Sequence, residues 1–284
     1  LAATEDIMNK HGKVWFVTGS SSGFGRSLVD DLIARGERVV ATARDPRTLS
    51  ALVARAPECV LALGLDVTKR EQIQSALDSA RERFGAIDVL VNNAGYSIVG
   101  AVEETSDAEL RAAFEPMFFG AVALTQAVLP AMRERRSGTI VQISSVGGLI
   151  TAPGFGPYCA VKHALEGLSE ALAAEVAPFG VRVLLVEPGA FRTRLFGPAF
   201  RSMPAMDAYQ ESVGPTRAFA EQSEGKQPGD PAKAARAIID TVNAGSPNLR
   251  LPLGADAVKN IRAKLVQVAA DVDSTEALAS ATAF

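Results

Sequence analysis

Three side chains within the stretch SSVGGLITAPGFGPYCAVK, residues 144–162, have the types and the spacing for proton transfer. Ser145 is followed thirteen residues on by Tyr158, and Lys162 comes four residues after that. On a helix, residues four apart lie one turn above each other, so Tyr158 and Lys162 share a face. A hydroxyl, a phenol and an ammonium brought together can move a proton to or from a carbonyl oxygen. Each residue alone has an ordinary use: tyrosine as core, lysine as a solvated charge, serine as a cap. The joint spacing is what points to chemistry.

A second segment could hold a cofactor against that trio. Thr18 to Gly25 (TGSSSGFG) lies between a β-branched run, residues 14–18, and an amphipathic segment, residues 26–35, that ends at Gly36. Gly19, Gly23 and Gly25 would let the backbone turn sharply and approach a pyrophosphate. The helix that follows offers unpaired N–H groups and the positive end of its dipole. Gly19-Ser20-Ser21-Ser22-Gly23 also matches G-x-S-x-G, the nucleophile elbow of a hydrolase. That enzyme needs a later histidine, and the only one after Ser21 is His163, beside Lys162 in a predicted helix.

The second strand, residues 38–43, ends about 20 residues beyond the glycines, where a dinucleotide-binding fold selects its cofactor. An acidic residue there suits the ribose of NAD(H). Here Ala43 is followed by Arg44 and Asp45. Arg44 could pair with a 2′-phosphate, and Asp45 could cap the next turn before Pro46. The preference is for NADP(H), with NAD(H) open.

Further apolar runs at residues 60–65, 87–91, 138–144, 181–187 and 249–253 read as strands separated by helical patterns. Apolar strands alternating with helices predict an α/β fold: a single-domain, doubly wound (Rossmann-type) parallel sheet of about seven strands with helices on both faces. Residues 1–12 read as an extension or expression remnant, 13–270 as the catalytic domain and 271–284 as a tail. Residues 191–231, rich in Gly, Pro, Ser and Met, break the pattern and read as a substrate lid or loop.

Composition narrows the partners. A net charge of -3, with no basic stripe, gives no sign of nucleic acid or an anionic membrane. There is no charge-free apolar run long enough for a membrane span. Cys59 and Cys159 are expected to be buried thiols, and no cluster has metal-ligand spacing. The expected setting is cytoplasmic.

Taken together, the motifs resemble those of the short-chain dehydrogenase/reductase family. TGSSSGFG is similar to its TGxxxGxG, Asn92-Asn93-Ala94-Gly95 to its NNAG, and Ser145 with Tyr158-x-x-x-Lys162 to its catalytic signature. Pro188-Gly189 with Thr193 resembles its cofactor-closing motif, and Asp66-Val67 its adenine-flanking pair. The resemblance implies that Gly19, Ser21, Ser22, Gly23, Phe24, Gly25, Arg44, Asp66, Val67, Asn92, Asn93, Ala94, Gly95, Tyr158, Lys162, Pro188, Gly189 and Thr193 hold the dinucleotide. It implies hydride transfer between nicotinamide and a small-molecule ketone, aldehyde or alcohol. Tyr158 would act as general acid/base, Lys162 would lower the phenol's pKa of about 10 and hold the ribose, and Ser145 would stabilise the substrate oxygen.

One departure stands out. Where the family carries an Asn in a segment resembling F-E-x-N-x-x-G, this chain reads Phe114-Glu115-Pro116-Met117-Phe118-Phe119-Gly120. Met117 cannot supply the amide that supports a proton-relay water, although Pro116 could free a carbonyl by distorting the helix. An altered or slower relay is expected. The alternative reading is a dinucleotide-binding regulatory protein with weakened catalysis. Helices around residues 121–132 and 160–176, apolar on more than one side, suggest partner contact, and the resemblance implies a homodimer or homotetramer.

Overall fold

The computed structural model describes residues 12–197 and 200–282. Among the described residues nine strands form, β1 (Val14–Val17), β2 (Arg38–Ala43), β3 (Val60–Gly64), β4 (Val89–Asn92), β5 (Ser97–Val99), β6 (Gly138–Ile143), β7 (Val181–Pro188), β8 (Phe200–Ser202) and β9 (Arg250–Leu253). Seven of them pair in parallel in the order β3-β2-β1-β4-β6-β7-β9. The expected doubly wound sheet is therefore present, and its strand ends lie within two residues of those expected.

Side chains on β1 show how one strand feeds two cores. Trp15 and Val17 join Leu28, Leu32, Val39 and Ile238 on one face. Val14 and Phe16 join Leu77, Leu90, Leu124 and Ile140 on the other. Alternation with period two places apolar residues on both faces, and both are covered by helices. Strand order reverses between β1 and β4, so a crevice opens beyond their carboxyl ends. The glycine turn after β1 and the Asn92–Gly95 segment after β4 meet there.

Helix Asp107–Arg135 is by length and composition apolar enough to cross a membrane. Leu124, Val128 and Met132 instead pack into the core against the sheet, as in a core helix. The described residues of 191–231 hold more regular structure than the sequence suggested. They hold helix Gly214–Ser223 and strand β8, which pairs in parallel with β5 as a small second sheet. The predicted tail boundary at residue 270 is not a break, because one helix runs through it from Ala255 to Ser280. The extension 1–12 lies outside the described residues, apart from Gly12. Cys159 is buried as expected, but Cys59 is only half-buried because it sits just before β3.

Candidate active site

Tyr158 and Lys162 rise from helix Gly156–Val176, both at least nine-tenths buried. Ser145 sits just past the end of β6, and its hydroxyl accepts a hydrogen bond from the Gly147 N–H at 3.0 Å. Burial pushes the Tyr158 phenol up to about 12, and a hydrogen bond with Ser145 works against that rise. The Lys162 ammonium donates to the Ile143 carbonyl at 2.8 Å and lies 5.8 Å from the Tyr158 ring centroid. Its own pKa falls to about 8 through burial, opposed by the charge of Glu166 one turn on. The phenol of the protein alone therefore stands above its ordinary value, with burial as the chief cause and Ser145 opposing it.

The trio lines a groove of about 1080 Å³ that also reaches the glycine turn, Arg44 and Asp66. Ser21, Ser22, Gly23, Phe24, Val67, Asn93, Ala94, Gly95, Pro188, Gly189 and Thr193 line it as well. Two predicted residues do not. Gly25 packs under the turn, where a Cβ would meet the Gly19 carbonyl oxygen at 2.3 Å. Asn92 is buried, and its amide donates to Gln142 Oε1 at 3.0 Å and Thr125 Oγ1 at 3.2 Å, tying β4 to β6. Both serve the site by shaping it from behind.

The residues fit a dinucleotide. Gly19 turns the chain with φ +68, and helix Gly23–Ala34 begins at Ser22 with no side chain capping its first N–H groups. An uncapped N-terminus facing a groove suits a pyrophosphate. The Asn93 and Ala94 N–H groups donate to Thr18 Oγ1 at 2.8 and 3.0 Å, which locks the two cofactor loops together. Thr18 was part of the motif, but its anchoring role was not evident from the sequence. Gly189 is needed for close approach, since a Cβ there would meet Asp256 Oδ2 at 2.2 Å. Asp256 accepts the Ala190 N–H at 2.7 Å and so fixes the loop after β7.

Arg44 is exposed at the groove's edge, whereas Asp45 turns away. Asp45 caps the turn Pro46–Leu49 as expected and accepts from the Arg47 backbone and guanidinium.

Around Met117 the helix does not stop at Pro116. Residues Glu115–Phe119 form a π-helical segment, with the Gly120 N–H bonded to the Glu115 carbonyl. Met117 and Pro116 border a cavity of about 10 Å³, together with Lys162, Thr18 and Asn92. That volume is close to the minimum for one water. Asn92 Oδ1 is buried without a partner. The helix distortion and a polar, water-sized space beside Lys162 are thus retained without an Asn at position 117.

Beyond Tyr158 the groove is walled by rings. Phe155 lies 6.5 Å from Tyr158 and 6.3 Å from Phe196, which in turn lies 6.2 Å from Phe219. Phe191, Phe196 and Phe219 line the groove, Phe191 also packing on Phe24 at 5.2 Å, whereas Met203 is buried. Part of the insertion therefore faces ligand and part anchors it. Tyr96 and Arg201, which the sequence did not flag, also line this end, with the guanidinium 4.5 Å over the ring. Among the described residues lining the groove, His163 does not appear; its ring bonds back to the Cys159 carbonyl, which leaves the hydrolase reading without its base.

Comparison with known proteins decides the family, because residues 13–203 match the family model of the short chain dehydrogenases. The chain belongs to the short-chain dehydrogenase/reductase family. It is 41% identical to the oxidoreductase BOA17 of Botryotinia fuckeliana over 251 residues, 87% of this chain and 90% of that one. The crystal structure of a short-chain dehydrogenase from Streptomyces avermitilis superposes with a TM-score of 0.91 at 50% identity, covering 96% of this chain and 98% of that one. Levodione reductase gives 0.73 at 27% identity, covering 87% and 98%. As a family member the chain is an oxidoreductase with a dehydrogenase/reductase role, and its groove is suited to a nicotinamide dinucleotide.

Proposed function

We propose that this short-chain dehydrogenase/reductase interconverts an apolar ketone or aldehyde and the corresponding alcohol, with NADP(H) preferred over NAD(H). The observation that carries the reading is the convergence of Ser145, Tyr158 and Lys162 on one groove with the uncapped glycine turn. When bound, the nicotinamide supplies or accepts the hydride.

The chain's own groups manage the proton and the oxygen. Tyr158, held protonated at neutral pH by its burial, gives its proton to the substrate oxygen during reduction and takes one back in the reverse direction. Ser145 holds that oxygen by a hydrogen bond that strengthens as charge develops on it. The Lys162 ammonium, oriented by the Ile143 carbonyl, favours the phenolate that Tyr158 leaves behind. The space between Lys162 and Asn92 gives room for a water to return the proton, which supports an active enzyme over a weakened binding protein. The ring wall of Phe155, Phe196 and Phe219 supports an apolar substrate, and exposed Arg44 supports the 2′-phosphate. The setting is cytoplasmic and the assembly a homodimer or homotetramer.

Turnover of a ketone and alcohol panel by wild type and Tyr158→Phe tests the reading. Wild type should turn over apolar carbonyls, and Tyr158→Phe should lose at least a hundredfold in kcat while binding NADPH as before. Dinucleotide binding without Tyr158-dependent turnover would instead identify the binding protein.

A further inference from the structure

The C-terminal helix carries an apolar stripe that its own chain does not cover. Of helix Ala255–Ser280, only Ala257 and Ile261 are buried. Residues 262–280 extend about 28 Å past that anchor at 1.5 Å per residue. Leu265 is 61% exposed, Val268 43% and Val272 61%. Val258, Ile261, Leu265, Val268 and Val272 follow one another at intervals of three, four, three and four, the spacing of a helix–helix seam. Val266 and Leu278 widen the exposed apolar surface. A concentrated patch of this kind marks an interaction site more than scattered exposure does.

The flanking charges say what covers it. Lys264 and Asp271 each stand one position before a seam residue, Leu265 and Val272, on the same edge. Neither forms an ion pair among the described residues. In a parallel pair of two such helices, Asp271 would face the partner's Glu276, a repulsion. In an antiparallel pair Leu265 seats against the partner's Val268, and Lys264 faces the partner's Asp271. Two-fold symmetry then repeats that attraction on the other side. A membrane surface fits less well, because the outer half of the helix carries Asp271, Asp273 and Glu276 with no basic residue.

We propose that residues 262–271 pair with the same residues of a second copy of this chain, antiparallel and two-fold symmetric. Leu265 and Val268 form the seam, and reciprocal Lys264–Asp271 pairs flank it. The surface is self-complementary in that direction alone.

Analytical ultracentrifugation of the full chain tests this. Leu265→Asp, at an exposed position that folding does not need, should halve the assembly mass with an unchanged circular dichroism spectrum. Lys264→Glu or Asp271→Lys should each weaken association by about tenfold, since two pairs turn repulsive, and the double charge swap should restore it. In a Cys59→Ser background, Leu265→Cys mixed with Val268→Cys should cross-link to each other in preference to like with like. A monomeric wild type, an unchanged mass for Leu265→Asp, no rescue by the swap, or like-with-like cross-linking would each overturn the proposal.

Discussion

At the scale of single residues, the site sets two groups against water. Tyr158 is raised to about 12 and Lys162 lowered to about 8, in both cases chiefly by burial. Both shifts favour the neutral form, so the groove keeps the proton on the phenol and makes the ammonium's charge costly. Arg44 contrasts with this interior pair: it is exposed, and its neighbour Asp45 is already engaged by Arg47. A free guanidinium at the adenosine end should discriminate between dinucleotides through one charge-assisted contact. Arg44→Ala is expected to weaken NADPH about tenfold, the worth of such a contact, and to leave NADH nearly unchanged. Fluorescence titration reads both affinities. Equal losses would show that Arg44 does not recognise the phosphate.

At the scale of elements, Arg250 on β9 joins two segments that carry site residues. Its guanidinium pairs with Glu166 and Glu170 on the Tyr158 helix and with Glu187 on β7, immediately before Pro188-Gly189. Glu187 is fully buried, and burial raises its pKa although Arg250 opposes the rise. Removing one partner of a buried pair leaves an uncompensated charge. Arg250→Met should therefore cost about 3 kcal/mol in urea unfolding at neutral pH. The sign of the pH dependence follows from Glu187. A carboxyl whose folded pKa lies above its unfolded value contributes stability below the unfolded value and loses it as pH rises through the folded one. The deficit of Arg250→Met should accordingly be smallest near the ordinary carboxyl range and widen toward neutrality. A deficit independent of pH would mean that Glu187 is not the group left stranded.

At the scale of the whole molecule, the buried Lys162 costs stability. A lysine whose folded pKa is about 8 against an ordinary 10.5 destabilises the fold while it is charged. Its folded value is depressed, so the cost is complete below about 8 and fades between about 8 and 10.5 as the folded state releases its proton. Lys162→Met should abolish most turnover yet raise unfolding stability on the order of 3 kcal/mol at pH 7. That gain should shrink above pH 8, as followed by thermal denaturation across pH 6 to 10. A destabilised variant at pH 7 would show that the Ile143 hydrogen bond outweighs the desolvation. The C-terminal helix belongs to this scale as well, since its own chain leaves its outer stripe uncovered.

The sequence alone determined the sheet and most of the groove. Continuous apolar runs, glycines between a strand and a helix, and a Tyr-x-x-x-Lys interval are local patterns, and local sterics and hydrogen bonding fix what they build. It also carried the Asp45 cap, whose carboxylate accepts the Arg47 N–H at 3.0 Å. The tertiary structure decided what depends on neighbours distant in the chain. Asn92 turned inward because Gln142 and Thr125 meet its amide, and Asp256 reached the loop after β7 across 66 residues. The π-helical turn at Met117 kept a water-sized cavity where the expected side chain is missing. The Tyr158 pKa moved upward because burial, which no spacing encodes, outweighed the hydrogen bond with Ser145.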